Sequence, residues 1–342
     1  MFQRILVPLD GSERAESAIP VAARIARASG GVIMLLRVVP IPSDSEIYLT
    51  HPARAPESVT KVFIDEASDY LAHITQSEAL KGIGTQSEVM VGGAALSILA
   101  VAESYQADVI VLCSHGFTGL KRWALGSVAD KVTRYAEAPV LLLRETGPII
   151  PPPESGYTFH ALVTLDGSQF SAAVLVPTVR MVASLAAPSE GNIHLLHVVE
   201  MAAMDGKWRG YDKAGAQAAE RQEDARAYLT TMIKRLRDEP GTDVQLGITA
   251  SVVTSSDVAE SILQVGESIA DVDERGRPGP YDLIAMATHG RGGLPRLMLG
   301  SVTERVLHRT TLPMLIVHPQ RGAETKGPAH EEADSPSWPV LF

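Results

Sequence analysis

The chain has 342 residues, 45% of them hydrophobic, enough apolar material for two domains of roughly 150 residues each. A net charge of −10 with no Lys/Arg tract excludes sequence-independent nucleic-acid binding, which draws its affinity from basic groups that release counterions. A single cysteine, Cys113, excludes an intrachain disulfide framework; no stretch approaches the ~20 apolar residues of a membrane span and no signal-peptide pattern opens the chain, so the cytoplasm is the expected compartment.

Ile5 to Leu9 reads as a strand ending in Asp10-Gly11-Ser12. From about Ser12 to Ala28, Ala15, Ala18, Ile19, Ala22, Ile25 and Ala26 share one helical face, with Ser12 as N-cap and Pro20 predicting a kink. Val32 to Val39 is an apolar run broken only by Arg37, the pattern of a strand covered on both faces. A Pro-rich loop, Pro40 to Pro56, precedes a helix from about Glu57 to Leu80 and a strand from Gln86 to Val91. Gly92-Gly93 turns into a helix, about Ala94 to Tyr105; strand Asp108 to Cys113, helix Ser127 to Tyr135 and strand Val140 to Leu143 follow. Strands alternating with helices predict a parallel sheet with right-handed crossovers.

The same order then repeats. Asp166-Gly167-Ser168 closes the strand Ala161 to Leu165, His197-Val198-Val199 matches Arg37-Val38-Val39, and Leu312 to Val317 matches Ala138 to Leu143. Asp10 and Asp166 stand 156 residues apart but Gly116 and Gly290 stand 174 apart, so the second copy carries about 18 inserted residues. The insertions fall in a longer, charged second helix, about Gly210 to Arg237, and in the loop Asp271 to Pro280 before strand Tyr281 to Ala287. The expected division is 1–145, a Pro-rich linker 146–158, 159–319, and a polar, disordered tail 320–342.

Each copy also carries a glycine signature. Ser114-His115-Gly116 is followed after nine residues by Gly126-Ser127, and Thr288-His289-Gly290 after nine by Gly300-Ser301. Glycines let the backbone approach a ligand closely, and the unpaired N–H groups at the helix start attract anions, so strand, glycine loop and helix N-terminus form a place to hold phosphate.

These landmarks, in this order and twice, resemble a tandem universal stress protein, two UspA-like domains of the ATP-binding branch fused in one chain. The resemblance covers about residues 2–145 and 159–319. It implies an α/β fold of two Rossmann-like, adenine nucleotide α-hydrolase-like domains. Each has a five-stranded parallel sheet with the nucleotide at the carboxyl ends of the strands. ATP would be the cofactor, with Mg²⁺ or Mn²⁺ accompanying the triphosphate and no metal ligands from the protein alone. At the first site, Asp10 and Val38 would line the adenosine end, with Pro8, Gly11 and Ser12 beside them in the site. Cys113, His115, Gly116, Gly126, Ser127 and the Val128 amide would complete the loop and phosphate end. The second site would comprise Asp166, Gly167, Ser168, Val198, Ala287, His289, Gly290, Arg291, Gly300, Ser301 and Val302. The last strands, unusually apolar for sheet edges, would pair within one chain as a pseudo-dimer, with a homodimer of the whole chain open.

The sequence departs from the family pattern where Cys113 and Ala287 replace its first glycine, and site two has Thr164 where site one has Pro8. Arg291 beside Gly290 could reach a phosphate, whereas Phe117 stands in its place at site one. Bland roles stand beside these: Asp10 and Asp166 turning into their helices, Ser127 and Ser301 as plain N-caps, His115 and His289 packing a loop, Cys113 as an apolar filler. His194 and His197, read as sharing a strand face, lack a third metal ligand. There is no Gly-Lys-Ser/Thr phosphate loop, nucleophile elbow or zinc motif. Three readings stay open: an ATP-responsive regulatory protein with an unknown protein partner; a nucleotide-free dimerisation scaffold with decayed pockets, favoured by Cys113 and Ala287; and a slow ATPase.

Overall fold

The computed structural model describes residues 1–40, 56–114, 125–144, 158–201, 211–238, 246–267, 281–288 and 299–319. In the first half these are β1 (Arg4–Leu9), α1 (Glu13–Glu16), α2 (Ala18–Ser29), β2 (Val32–Val39), α3 (Pro56–Thr75), β3 (Gly84–Val91), α4 (Ala94–Ser104), β4 (Val109–Cys113), α5 (Ser127–Tyr135) and β5 (Val140–Leu143). The second half repeats them as β6 (Phe159–Leu165), α6 (Gln169–Ala172), α7 (Leu175–Ala186), β7 (Gly191–Glu200), α8 (Tyr211–Arg237), β8 (Leu246–Ser255), α9 (Val258–Glu267), β9 (Leu283–Ala287), α10 (Ser301–Arg309) and β10 (Met314–Val317).

The strands form one ten-stranded sheet in the order β3-β2-β1-β4-β5-β10-β9-β6-β7-β8. Each half is parallel and doubly wound, with its strand order reversing between β1 and β4 or between β6 and β9. The halves meet where β10 runs antiparallel to β5, Leu315 opposite Leu141. Val140, Leu141, Leu142, Met314, Leu315 and Ile316 are fully buried there, so the apolar last strands cover one another.

The structure has a core on each face of the sheet, each shared by both halves. One lies under α2, α3, α7 and α8 and joins Ile25, Leu35 and Leu141 to Met181, Leu229 and Leu315. The other lies under α4, α5, α9 and α10 and joins Ile98, Val132 and Leu142 to Ile262, Val306 and Ile316. Alternate side chains of every strand feed opposite faces, so a sheet continuous across the junction makes continuous cores.

The predicted helix with a kink at Pro20 is broken at Ser17, whose N–H bonds Arg14 and Ala15 within the last turn of α1. Pro20 then sits in the first turn of α2, where its missing N–H costs nothing. The second half breaks likewise at Ala173, ahead of Pro177. Gln169–Ala186, which spans α6 and α7, is long and apolar enough by composition to cross a membrane. Its apolarity serves the core instead: nine residues of α7 are buried, among them Met181, Val182 and Leu185.

Candidate functional site

At each reversal of strand order the ladder stops early. β1 and β4 pair only at Ile5–Val109 and Leu6–Ile110, and β6 and β9 only from Ala161–Leu283 to Val163–Ala285. Beyond those positions the strands part, which opens a crevice at their carboxyl ends, the place where doubly wound sheets receive ligands. Pro8, without an N–H to give, sits just past the last β1–β4 pair, and Thr164 holds the matching place in β6.

Asp10 and Asp166 open the crevice wall on one side. Asp10 Oδ1 accepts from the Ser12 N–H at 3.0 Å and from Ser12 Oγ at 2.5 Å; Asp166 Oδ1 accepts from the Ser168 N–H at 2.9 Å and Ser168 Oγ at 2.6 Å. Gly11 and Gly167 carry φ of +83° and +87°, a left-handed turn that disfavours a side chain. Ser12 and Ser168 then cap α1 and α6 by accepting from the Ala15 and Ser171 N–H groups. The Asp-Gly-Ser turn is thus built twice, and one carboxylate oxygen of each Asp holds it together.

Val38 and Val198 form the next part of the wall. The β1–β2 ladder ends at Leu9–Arg37 and the β6–β7 ladder at Leu165–His197, while Val38 and Val198 go on pairing with β3 and β8. Their crevice-side backbone groups therefore lie past the end of the neighbouring ladder.

On the opposite wall, α5 and α10 begin at the crevice. The caps are Gly126 and Gly300 rather than Ser127 and Ser301, which are the first helical residues, followed by Val128 and Val302. Gly126 N–H donates to Ser114 O at 2.8 Å and Gly300 N–H to Thr288 O at 2.7 Å, which tucks the cap against the strand end. A Cβ on Gly300 would lie 2.9 Å from Thr288 O, so the close approach requires glycine.

Cys113 and Ala287 end β4 and β9 in ordinary extended backbone; among the described residues, Gln106 is the one non-glycine with positive φ. Both side chains turn toward the face covered by α1, α2 and α7. Cys113 Sγ lies 3.0 Å from Ser17 Oγ, and Ala287 is buried in that core. His115, Gly116, His289, Gly290 and Arg291 lie outside the described residues, as does Phe117.

Sequence reasoning missed the groups behind the Asp turns. Arg37 Nη1 donates to Leu9 O at 3.4 Å, and a Cβ on Gly11 would meet its guanidinium at 3.3 Å. Tyr70 on α3 donates to Glu16 Oε1 at 2.9 Å; burial first, and the Glu16 carboxylate second, push its hydroxyl pKa upward. In the second half His197 replaces Arg37 and stands edge-on to Tyr228, 6.1 Å between centroids. The signal was present: Arg37 and His197 head the repeated Val-Val landmarks. His194 and His197 face opposite sides of the sheet, not one side, because three residues along a strand reverse direction. His194 instead bonds Thr249 Oγ1 and Ser251 Oγ of β8, each at 2.8 Å.

A duplicated, doubly wound α/β sheet, with an Asp-Gly-Ser turn and a glycine-capped helix flanking each switch-point crevice, defines a tandem Rossmann-like α/β protein. The universal stress protein family model matches residues 1–144 and 159–318, and the chain belongs to that family. It is 25% identical over 324 residues to the universal stress protein Rv2005c of Mycobacterium tuberculosis, covering 91% of this chain and 96% of that one. A universal stress protein structure from Archaeoglobus fulgidus shares the fold at TM-score 0.58, 18% identity, over 93% of this chain and 97% of that one. Another solved universal stress protein, 20% identical over 42% of this chain and 97% of its own, with TM-score 0.29, is in complex with cAMP.

Proposed function

We propose that the chain is an ATP-binding, nucleotide-responsive stress and regulatory protein of the cytoplasm, built as two units, 1–145 and 159–319. The observation that carries this reading is the twofold occurrence of one geometry. A parted strand pair lies between an Asp-Gly-Ser turn and a glycine-capped helix start, with a valine backbone edge alongside. In this reading Asp10 with Val38, and Asp166 with Val198, take the adenosine end. The amides at Gly126–Val128 and Gly300–Val302, with Gly116 and Gly290, take the phosphates. Cys113 and Ala287 are compatible with it, since their backbone is extended with negative φ and their side chains lie against the α1, α2 and α7 face. Among the described residues no cluster of three His, Cys, Asp or Glu could hold a metal. In this reading Mg²⁺ or Mn²⁺ accompanies the triphosphate and is held chiefly by the phosphates it neutralises. Nucleotide shifts the protein's surface only through different affinities for two states, and those states are what a partner would read.

The test is to purify the protein without added nucleotide, denature it, and identify and count the released nucleotide by ion exchange, with ATP–Mg²⁺ titration of the stripped chain. Two per chain supports both sites and one supports an asymmetric pair. None, with no binding on titration, leaves the nucleotide-free scaffold as the better reading.

A further inference from the structure

Each switch-point helix has its C-terminus held by the other half of the molecule. Arg144, directly after β5, donates from Nη2 to Leu307 O in the last turn of α10, and the same nitrogen lies 3.8 Å from Met314 Sδ of β10. His318, directly after β10 and the repeat counterpart of Arg144, bonds Arg134 O in the last turn of α5 at 3.0 Å. A carbonyl only accepts, so Nε2 of His318 carries the proton. Both carbonyls belong to the last turn, where a helix has no partners of its own. Around these contacts Arg134 binds Asp130 of its own helix at 3.0 Å and Glu304 of α10 at 2.6 Å.

The route into each site is therefore crossed. α10 presents Gly300 and Ser301 to the second crevice, yet its far end is fixed by a residue of the first half. α5 presents Gly126 and Ser127 to the first crevice and is fixed by a residue of the second. A helix moves as a rigid rod, so a group that fixes its C-terminus also sets where its N-terminal amides stand, and a cation there reinforces the dipole that attracts the anion.

We infer that Arg144 is a positioning residue for the second nucleotide site and His318 for the first, so that each half tunes the phosphate end of the other half's site. This rests on the nucleotide reading above. Burial supports the assignment for Arg144: desolvation pulls its pKa down to about 10, and among the described residues its hydrogen bonding runs through Nη2 to α10 and β10, with none from the buried Nε.

The experiment isolates each site in the full chain. Ser127→Glu or Ser301→Glu puts a carboxylate at the exposed first position of α5 or α10, which favours the helix and repels phosphate. Calorimetric titration with ATP–Mg²⁺ is then run on both backgrounds, with and without Arg144→Met or His318→Ala. Arg144→Met should weaken binding roughly three- to thirtyfold where only the second site is open and leave the first unchanged, and His318→Ala should do the reverse. Arg144→Lys, which keeps a charged donor, should restore much of the loss and serves if the Met variant folds poorly. Equal losses at both sites, or losses at the nearer site, would overturn the assignment while leaving the nucleotide reading intact. No ATP binding by the unmodified chain would overturn that reading, and the assignment with it.

Discussion

Arg134 Nη2 lies 2.6 Å from Glu304 Oε1, an ion pair between the two helices that start at the two crevices. Asp130, which binds the same guanidinium, is the repeat counterpart of Glu304, so one arginine clasps equivalent carboxylates from both halves. The side chains are 21% and 40% exposed, and solvent screens the pair. Glu304→Gln is therefore expected to cost only about 0.5–1 kcal/mol. Urea denaturation at low and high salt checks it: the loss should shrink as salt rises.

Because both cores run across the junction, the described body should unfold in one step. Calorimetry should give a single transition whose calorimetric and van't Hoff enthalpies agree; two separated transitions would show the halves to be independent. Leu142 and Leu315 are fully buried on opposite faces, so charging both should abolish folding rather than merely undock the halves.

Three glycines separate strain from site. Gly11, Gly167 and Gly30 all have positive φ, and a Cβ on Gly30 would meet nothing within 4 Å. Alanine at each is expected to cost about 1 kcal/mol of stability through backbone strain. Only Gly11→Ala and Gly167→Ala should also weaken nucleotide binding, each at its own crevice. Equal binding by all three variants would remove the Asp-Gly-Ser turns from the site.

Restoring the family's glycine should gain nothing. Cys113→Gly and Ala287→Gly lose side chains that pack toward the helices, so each should cost about 1 kcal/mol in folding and change ATP affinity less than about threefold. A large gain in affinity would mean these side chains obstruct the crevice.

Burial lowers the pKa of His194. The unfolded chain then binds the proton more readily than the folded one, so the neutral ring's contribution is fully present above the unfolded value near 6.5 and is lost as pH falls below it. Stability should decline from about pH 6.5 toward the lower folded value, and His194→Gln should flatten that slope. An unchanged slope would place the proton uptake elsewhere.

Much of the architecture was legible locally. Alternation of apolar strands with amphipathic helices, and the Asp-Gly-Ser turns, depend on neighbours within a few residues and can be read along the chain. The helix from Ser127 to Tyr135 was read as observed; only the bland role of Ser127 and Ser301 as N-caps falls one position late, because Gly126 and Gly300 take the cap by closing against Ser114 and Thr288. The break at Ser17 was read as a kink at Pro20, since a proline in the pattern marks a disturbance without saying on which side the helix restarts.

The sequence by itself determined two copies of a strand-turn-helix order, the turns that end the first strand of each, and the glycines at the helix starts. These follow from backbone sterics and hydrophobic periodicity. The tertiary structure decided that the copies share cores, that Arg144 and His318 cross to the other half's helix, and that Cys113 and Ala287 lie against the face covered by α1, α2 and α7. Those outcomes depend on which distant strands pair and in what register, and contacts of that kind leave no periodic trace in a single chain.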